Sequence, residues 1–144
     1  GLFDFNECHE SQSSTLVKIN YKSNYFKRKQ KLLKFFSKEK NLFFTTKINI
    51  KSLDNFLKEN KIDYVEILKI DTEGYDFNVI KSLGDRINCI NYIYFEHHFH
   101  DMLNKDYTYM KVHNFLVNNG FKKTFKSKMF YRKTFEYIYK NTKI

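Results

Sequence analysis

Two apolar runs, Tyr64–Ile70 (YVEILKI) and Cys89–Phe95 (CINYIYF), constrain the fold more than any other feature of this chain. Each has the length of a strand, and each ends in a carboxylate, Asp71 and Glu96. Between them lies a helical period in which Phe77, Ile80 and Leu83 share a face and Gly84 sits at the natural stop. Strand, helix and strand in so short a span predict a parallel pair with a crossover. The near-continuous apolar character predicts strands buried on both faces.

The flanking sequence extends this pattern. Ser52 caps a short helix with Leu53, Phe56 and Leu57 on its inner face, ending near Asn60. Asp106 is positioned to cap a third helix striped by Tyr109, Val112 and Leu116 and stopped at Asn118-Asn119-Gly120. Two alternating segments, near Phe121–Lys126 and Phe135–Lys140, read as strands joined by a basic loop. Upstream, Leu2–Cys8 alternates as a strand, and Thr45–Ile50 reads as another able to pair with it. Strands alternating with helices predict an α/β sheet in a single domain spanning residues 1–144, with no repeat or linker.

In open α/β sheets, ligands bind beyond the carboxyl ends of the strands, and Asp71 and Glu96 both fall there. If the two strands are neighbours, their carboxylates act on one ligand. Gly74 lets the chain turn sharply and a ligand approach the backbone. A second reading stands beside this one: Asp71, Thr72 and Glu73 sit where a helix N-terminus favours acids by about 0.3–1 kcal/mol. Beyond Glu96 runs His97-His98-Phe99-His100, in which Glu96, His98 and His100 share a face and His97 opposes them. His113 reads as a helix-surface residue.

Charge enters where partners are considered. The net charge of +10 and the Lys18–Lys40 segment, with nine Lys/Arg against one acid, invite an anionic partner. Leu32, Leu33 and Phe36 give that segment one greasy face, as an amphipathic helix or as a solvated connection capping the sheet. Lys, Asn, Ile, Tyr and Phe are abundant together and share A/T-rich codons, so coding bias accounts for part of the lysine. No nucleic-acid-binding motif is present. No apolar run approaches the ~20 residues of a membrane span. Cys8 and Cys89 form no CxxC pair and the chain resembles no disulfide scaffold, which makes a reducing, cytoplasmic setting the expectation. The chain opens on glycine without a signal segment, which reads as an excised or truncated beginning.

The stretch ILKIDTEGYDFNVIKSLG, Ile67–Gly84, closely resembles the signature of FkbM-type S-adenosylmethionine-dependent methyltransferases. SSTL (Ser13–Leu16), INIKSLDNFL (Ile48–Leu57) and IYFEHH (Ile93–His98) resemble further family segments in the same order, so the likeness covers roughly Gly1 to His100. It implies a Rossmann-like class I methyltransferase fold, incomplete at the N-terminus, holding strands four to seven with their crossover helices. It implies O-methylation of a hydroxyl on a sugar, glycan or secondary-metabolite-like small molecule. Asp71, Glu73 and Glu96 are its expected catalytic residues, with Gly74, His97 and His98 binding the acceptor. The four glycines stand at 1, 74, 84 and 120, without the paired-glycine turn that holds the cofactor in such enzymes, so cofactor-binding residues are unassigned. The segment alone is expected to be inactive and not to bind S-adenosylmethionine with micromolar affinity. A divalent metal on Asp71, Glu96 and a histidine is a further variant, although the spacing matches no zinc pattern and no metal ligand is assigned. The alternative from another class is a non-enzymatic nucleic-acid or phosphate binder, or an inactive fragment.

Overall fold

The computed structural model describes residues 1–8, 13–36 and 43–144, without the side chains of 33–36. The two alternating segments at the start pair as expected: β1 (Leu2–Cys8) and β2 (Phe43–Asn49) form an antiparallel ribbon in which Phe5 faces Thr46. Between them, α1 (Asn24–Phe36) carries the basic run. Phe26 on α1 is buried with Ile19, Met102 and Leu103 in a small core of its own. The expectation for Leu33 and Phe36 lies outside the described side chains.

Ser52 caps α2 (Leu53–Glu59) by accepting from the Asn55 amide at 3.3 Å. β3 (Val65–Ile70) follows, then α3 (Asp76–Lys81), a 3-10 turn at Gly84–Cys89, and β4 (Ile90–His98). α4 (Tyr109–Asn118) leads into the hairpin of β5 (Phe121–Lys128) and β6 (Thr134–Asn141). The cap of α4 is Thr108, whose hydroxyl accepts from the Lys111 amide, and not Asp106 as the sequence reading has it. Among the described residues there are thus four α-helices and one 3-10 helix on a mixed α/β plan.

The second sheet has the order β3-β4-β6-β5. β3 and β4 are parallel, with Ile70 beside Phe95, and β6 runs antiparallel to both β4 and β5. β3 is therefore an outer strand, which corrects its reading as buried on both faces: Ile67 is 61% exposed. β4 and β6 are the interior strands, and on β4 Ile90, Ile93 and Phe95 are at most 1% exposed. α3 and α4 bury Ile80, Val112 and Leu116 against the same sheet, and each such aliphatic side chain contributes about 1.5–3 kcal/mol by leaving water. β5 is the other outer strand, and its lysines protect that edge from pairing.

Two backbone bonds bring α1 to the carboxyl end of β4. The Asn20 amide donates to Met102 at 2.7 Å, and the Asn104 amide donates to Lys18 at 2.9 Å. The basic helix, the end of β4 and the tip of the β5–β6 hairpin consequently meet at one edge of the sheet.

Candidate active site

Asp71 and Glu96 leave neighbouring parallel strands at the same end. Glu96 is 7% exposed, and burial raises its carboxyl above the usual range, with the Asp71 charge pushing the same way. Asp71 itself is exposed. The pair stands side by side, yet neither residue lines the cavity at this edge.

That cavity has a volume of about 450 Å³ and is lined at its floor by Glu73, His98 and His100. Glu73 is reached through an unusual turn. Its φ is +47° and that of Gly74 is +95°, so two successive residues take the left-handed region, a strained choice for a glutamate. Three side chains hold the turn. The buried Asp76 carboxylate accepts from the Thr72 amide at 3.2 Å and the Gly74 amide at 3.1 Å. The Thr15 hydroxyl donates to the Glu73 carbonyl at 2.7 Å, and the Tyr107 hydroxyl donates to the Gly74 carbonyl at 2.9 Å. The sequence readings passed over Thr15, Tyr107 and Asp76 because their targets are backbone atoms, which leave no trace in a motif.

The clamp delivers Glu73 to His98, with Oε2 lying 3.2 Å from Nε2. Burial pushes the Glu73 carboxyl up. The hydrogen bond and charge of His98, with the charges of Lys29 and His100, outweigh burial and hold it below the usual carboxylate range. His98 is 4% exposed, and its Nδ1 is buried without a hydrogen-bond partner among the described residues. In the neutral ring, with Nε2 donating to Glu73, Nδ1 keeps its lone pair. Next to it His100 stacks on Tyr25, centroids 4.1 Å apart, and burial together with the His98 and Lys105 charges lowers its pKa to about 4.

His97 is turned to the opposite face, among Phe99, Tyr107 and Tyr109. Burial, with the nearby Lys105 charge, lowers its pKa to about 3. It does not line the cavity. Lys105 donates to the His98 carbonyl, and burial lowers its ammonium to about 8. Gly74 turns the chain as expected, but a Cβ there would meet Leu103 at 3.0 Å. The space on its Cβ side is filled by the protein's own side chains. His113 is half-buried and bonded to the Tyr139 hydroxyl at 2.7 Å, not a plain surface residue.

Among the described residues no group of three His, Cys, Asp or Glu is placed to hold a metal ion, so Asp71, Glu96 and a histidine do not assemble as the metal variant requires. No helix among them is long and apolar enough to cross a membrane. The fit to a sulfonium cofactor is also poor. Among the described residues the cavity is rimmed by Arg28, Lys29, Arg132 and Lys133 against a single carboxylate, a poor lining for a cation, and no glycine lines it.

Residues 7–123 match the family model described as the methyltransferase FkbM domain. Neither the curated proteins nor the solved structures contain a significant match.

Proposed function

The chain belongs to the methyltransferase FkbM domain family, and from that premise we propose that it is a methyltransferase contributing the acceptor side of the reaction, with a hydroxyl as acceptor. The observation that carries this reading is the Glu73–His98 pair at the floor of the cavity. Transfer of a methyl group to oxygen needs the hydroxyl oriented in line and relieved of its proton. His98 takes that proton at Nδ1 once the bound acceptor opens a path to this buried atom, and Glu73 holds the ring in the required tautomer and stabilises the imidazolium that forms, as a carboxylate behind a histidine base does. Asp71 and Glu96, at the same strand ends, stand beside this pair as further acids.

The methyl donor implied by the family is S-adenosylmethionine, and it supplies the activated methyl group. The side chains lining the cavity do not fit it. This segment alone is expected to be inactive and not to bind the donor with micromolar affinity. The order β3-β4-β6-β5, parallel first and then reversed at β6, supports a Rossmann-like reading of the sheet.

The test is transfer of labelled methyl from S-adenosylmethionine to hydroxyl compounds by the complete enzyme, in which this segment is joined to a cofactor-binding half, comparing wild type with Glu73→Gln and His98→Gln. Loss of about 10²–10⁴-fold in both is expected. No transfer by the wild type, or equal transfer by both variants, overturns the reading. Asp71→Asn in the same assay places Asp71: a fall of orders of magnitude puts it at the reacting centre, and an unchanged rate leaves it an exposed acid at the strand end, since α3 begins at Asp76 and is capped at Tyr75. Nitrogen-15 spectra of the His98 ring check the tautomer independently, since a proton on Nδ1 would contradict the assignment.

A further inference from the structure

We propose that the acceptor carries a phosphate group, held by the cationic rim of the cavity while its hydroxyl reaches His98; this rests on reading the Glu73–His98 pair as the catalytic floor. Two elements far apart in sequence supply the rim. α1 presents Arg28 and Lys29, and the turn between β5 and β6 presents Arg132 and Lys133. They are close enough to share a ligand: the Arg132 charge acts on the Tyr25 hydroxyl, which belongs to α1. The one carboxylate lining the cavity among the described residues, Glu73, is already engaged by His98, and the Lys29 charge acts on it as well. Positive charge is therefore left in excess over a volume suited to a small molecule.

A phosphate monoester brings about −1.5 to −2 charges at neutral pH and three acceptor oxygens, which matches paired guanidinium forks better than a neutral glycan does. Flat faces are at hand for the rest of the molecule. Tyr25 stacks on His100 inside the cavity, and Tyr131, 93% exposed, stands at its lining beside Arg132. A long polyanion fits less well. The dyad lies on the floor of a hollow, and the lysines of β5 that would guide a strand lie outside it.

The experiment titrates the full chain with glucose 6-phosphate, glucose and inorganic phosphate by calorimetry. Glucose 6-phosphate is expected to bind at least ~10-fold more tightly than glucose, and inorganic phosphate to compete with it. Arg28→Gln and Arg132→Gln, both at exposed positions where the fold is not at risk, should each weaken it ~10–100-fold, the worth of one charged hydrogen bond. Lys122→Gln on β5 should leave it within about twofold. Equal binding of the two sugars, no binding of either, or equal weakening by Lys122→Gln and Arg132→Gln would overturn the proposal, the last pointing to a general attraction for polyanions. His98→Gln separates the two readings. If that variant keeps both phosphate binding and methyl transfer, the dyad fails and the phosphate site stands. If it abolishes transfer while the arginine variants transfer as well as wild type, the phosphate site fails and the dyad stands.

Discussion

Replacing Asp76 by alanine tests whether the turn that delivers Glu73 is held as described. Asp76 is 2% exposed, and its carboxylate is the acceptor for two backbone amides, at 3.2 and 3.1 Å. A hydrogen bond to a charged group contributes about 1.5–3 kcal/mol. Burial raises the Asp76 carboxyl above the usual range, against the pull of the Thr72 amide and the His98 charge, so the charged form is already disfavoured and the lower end applies to each bond. Asp76→Ala should therefore cost about 3 kcal/mol, and Asp76→Asn, which keeps one oxygen, about half of that. With a urea slope of about 2 kcal/mol per molar, the alanine variant unfolds about 1.5 M earlier by circular dichroism. A raised folded-state pKa adds a pH signature. The stability from this group is fully present below the unfolded value near 3.8 and is lost as pH rises through the folded value. Asparagine has no such slope, so the advantage of wild type over Asp76→Asn should widen as pH falls through the raised folded value. A loss below about 1 kcal/mol in the alanine variant would refute the clamp, and a gap that narrows on acidification would refute the dominance of burial over the amide bonds.

Thr15→Val removes the hydroxyl bonded to the Glu73 carbonyl and should lower stability by about 1–2 kcal/mol in the same urea assay, with His98 ring shifts moving as the turn relaxes. His97, neutral in the fold down to about pH 3 and ordinarily protonated near 6.5 when unfolded, makes stability fall as pH drops between those values, by up to about 1.4 kcal/mol per pH unit. His97→Phe should flatten that acid limb, and an unchanged limb would mean the imidazole is not buried among its aromatic neighbours. Ile93→Ala, at a position 0% exposed at the centre of β4, should cost about 2–5 kcal/mol in urea unfolding.

Where a residue's surroundings are set by its own segment, the sequence was readable. The stripe of α4, the Ser52 cap and the parallel run of β3 beside β4 follow from periodicity and chain reach. The exposure of Ile67 did not follow, because an apolar run looks the same whether a strand is interior or outermost. Thr108 in place of Asp106 at the α4 cap is a shift of two residues between two acceptable caps, a choice made by where the preceding loop leaves the sheet. The pairing of α1 with the end of β4 depends on Asn20 and Met102 meeting across eighty-odd residues, and no local pattern records that.

The site shows the same division more sharply. Strand periodicity correctly set His98 and His100 on one face and His97 on the other, and the carboxyl-edge rule brought Asp71 and Glu96 to the right end of the sheet. What separates these acids from Glu73 is backbone conformation. In an ordinary extended exit Glu73 would continue the alternation. With φ at +47° it is swung towards His98, and that conformation persists only because Asp76, Thr15 and Tyr107 occupy the donors and acceptors that would otherwise straighten the turn. The function of the glycine in the Asp-Thr-Glu-Gly run is then conformational: it lets a left-handed glutamate be followed by a second left-handed residue at little cost. In a strand that ends in two carboxylates beside a glycine, the second carboxylate thus meets a histidine of the next strand, while the first stays exposed outside the cavity.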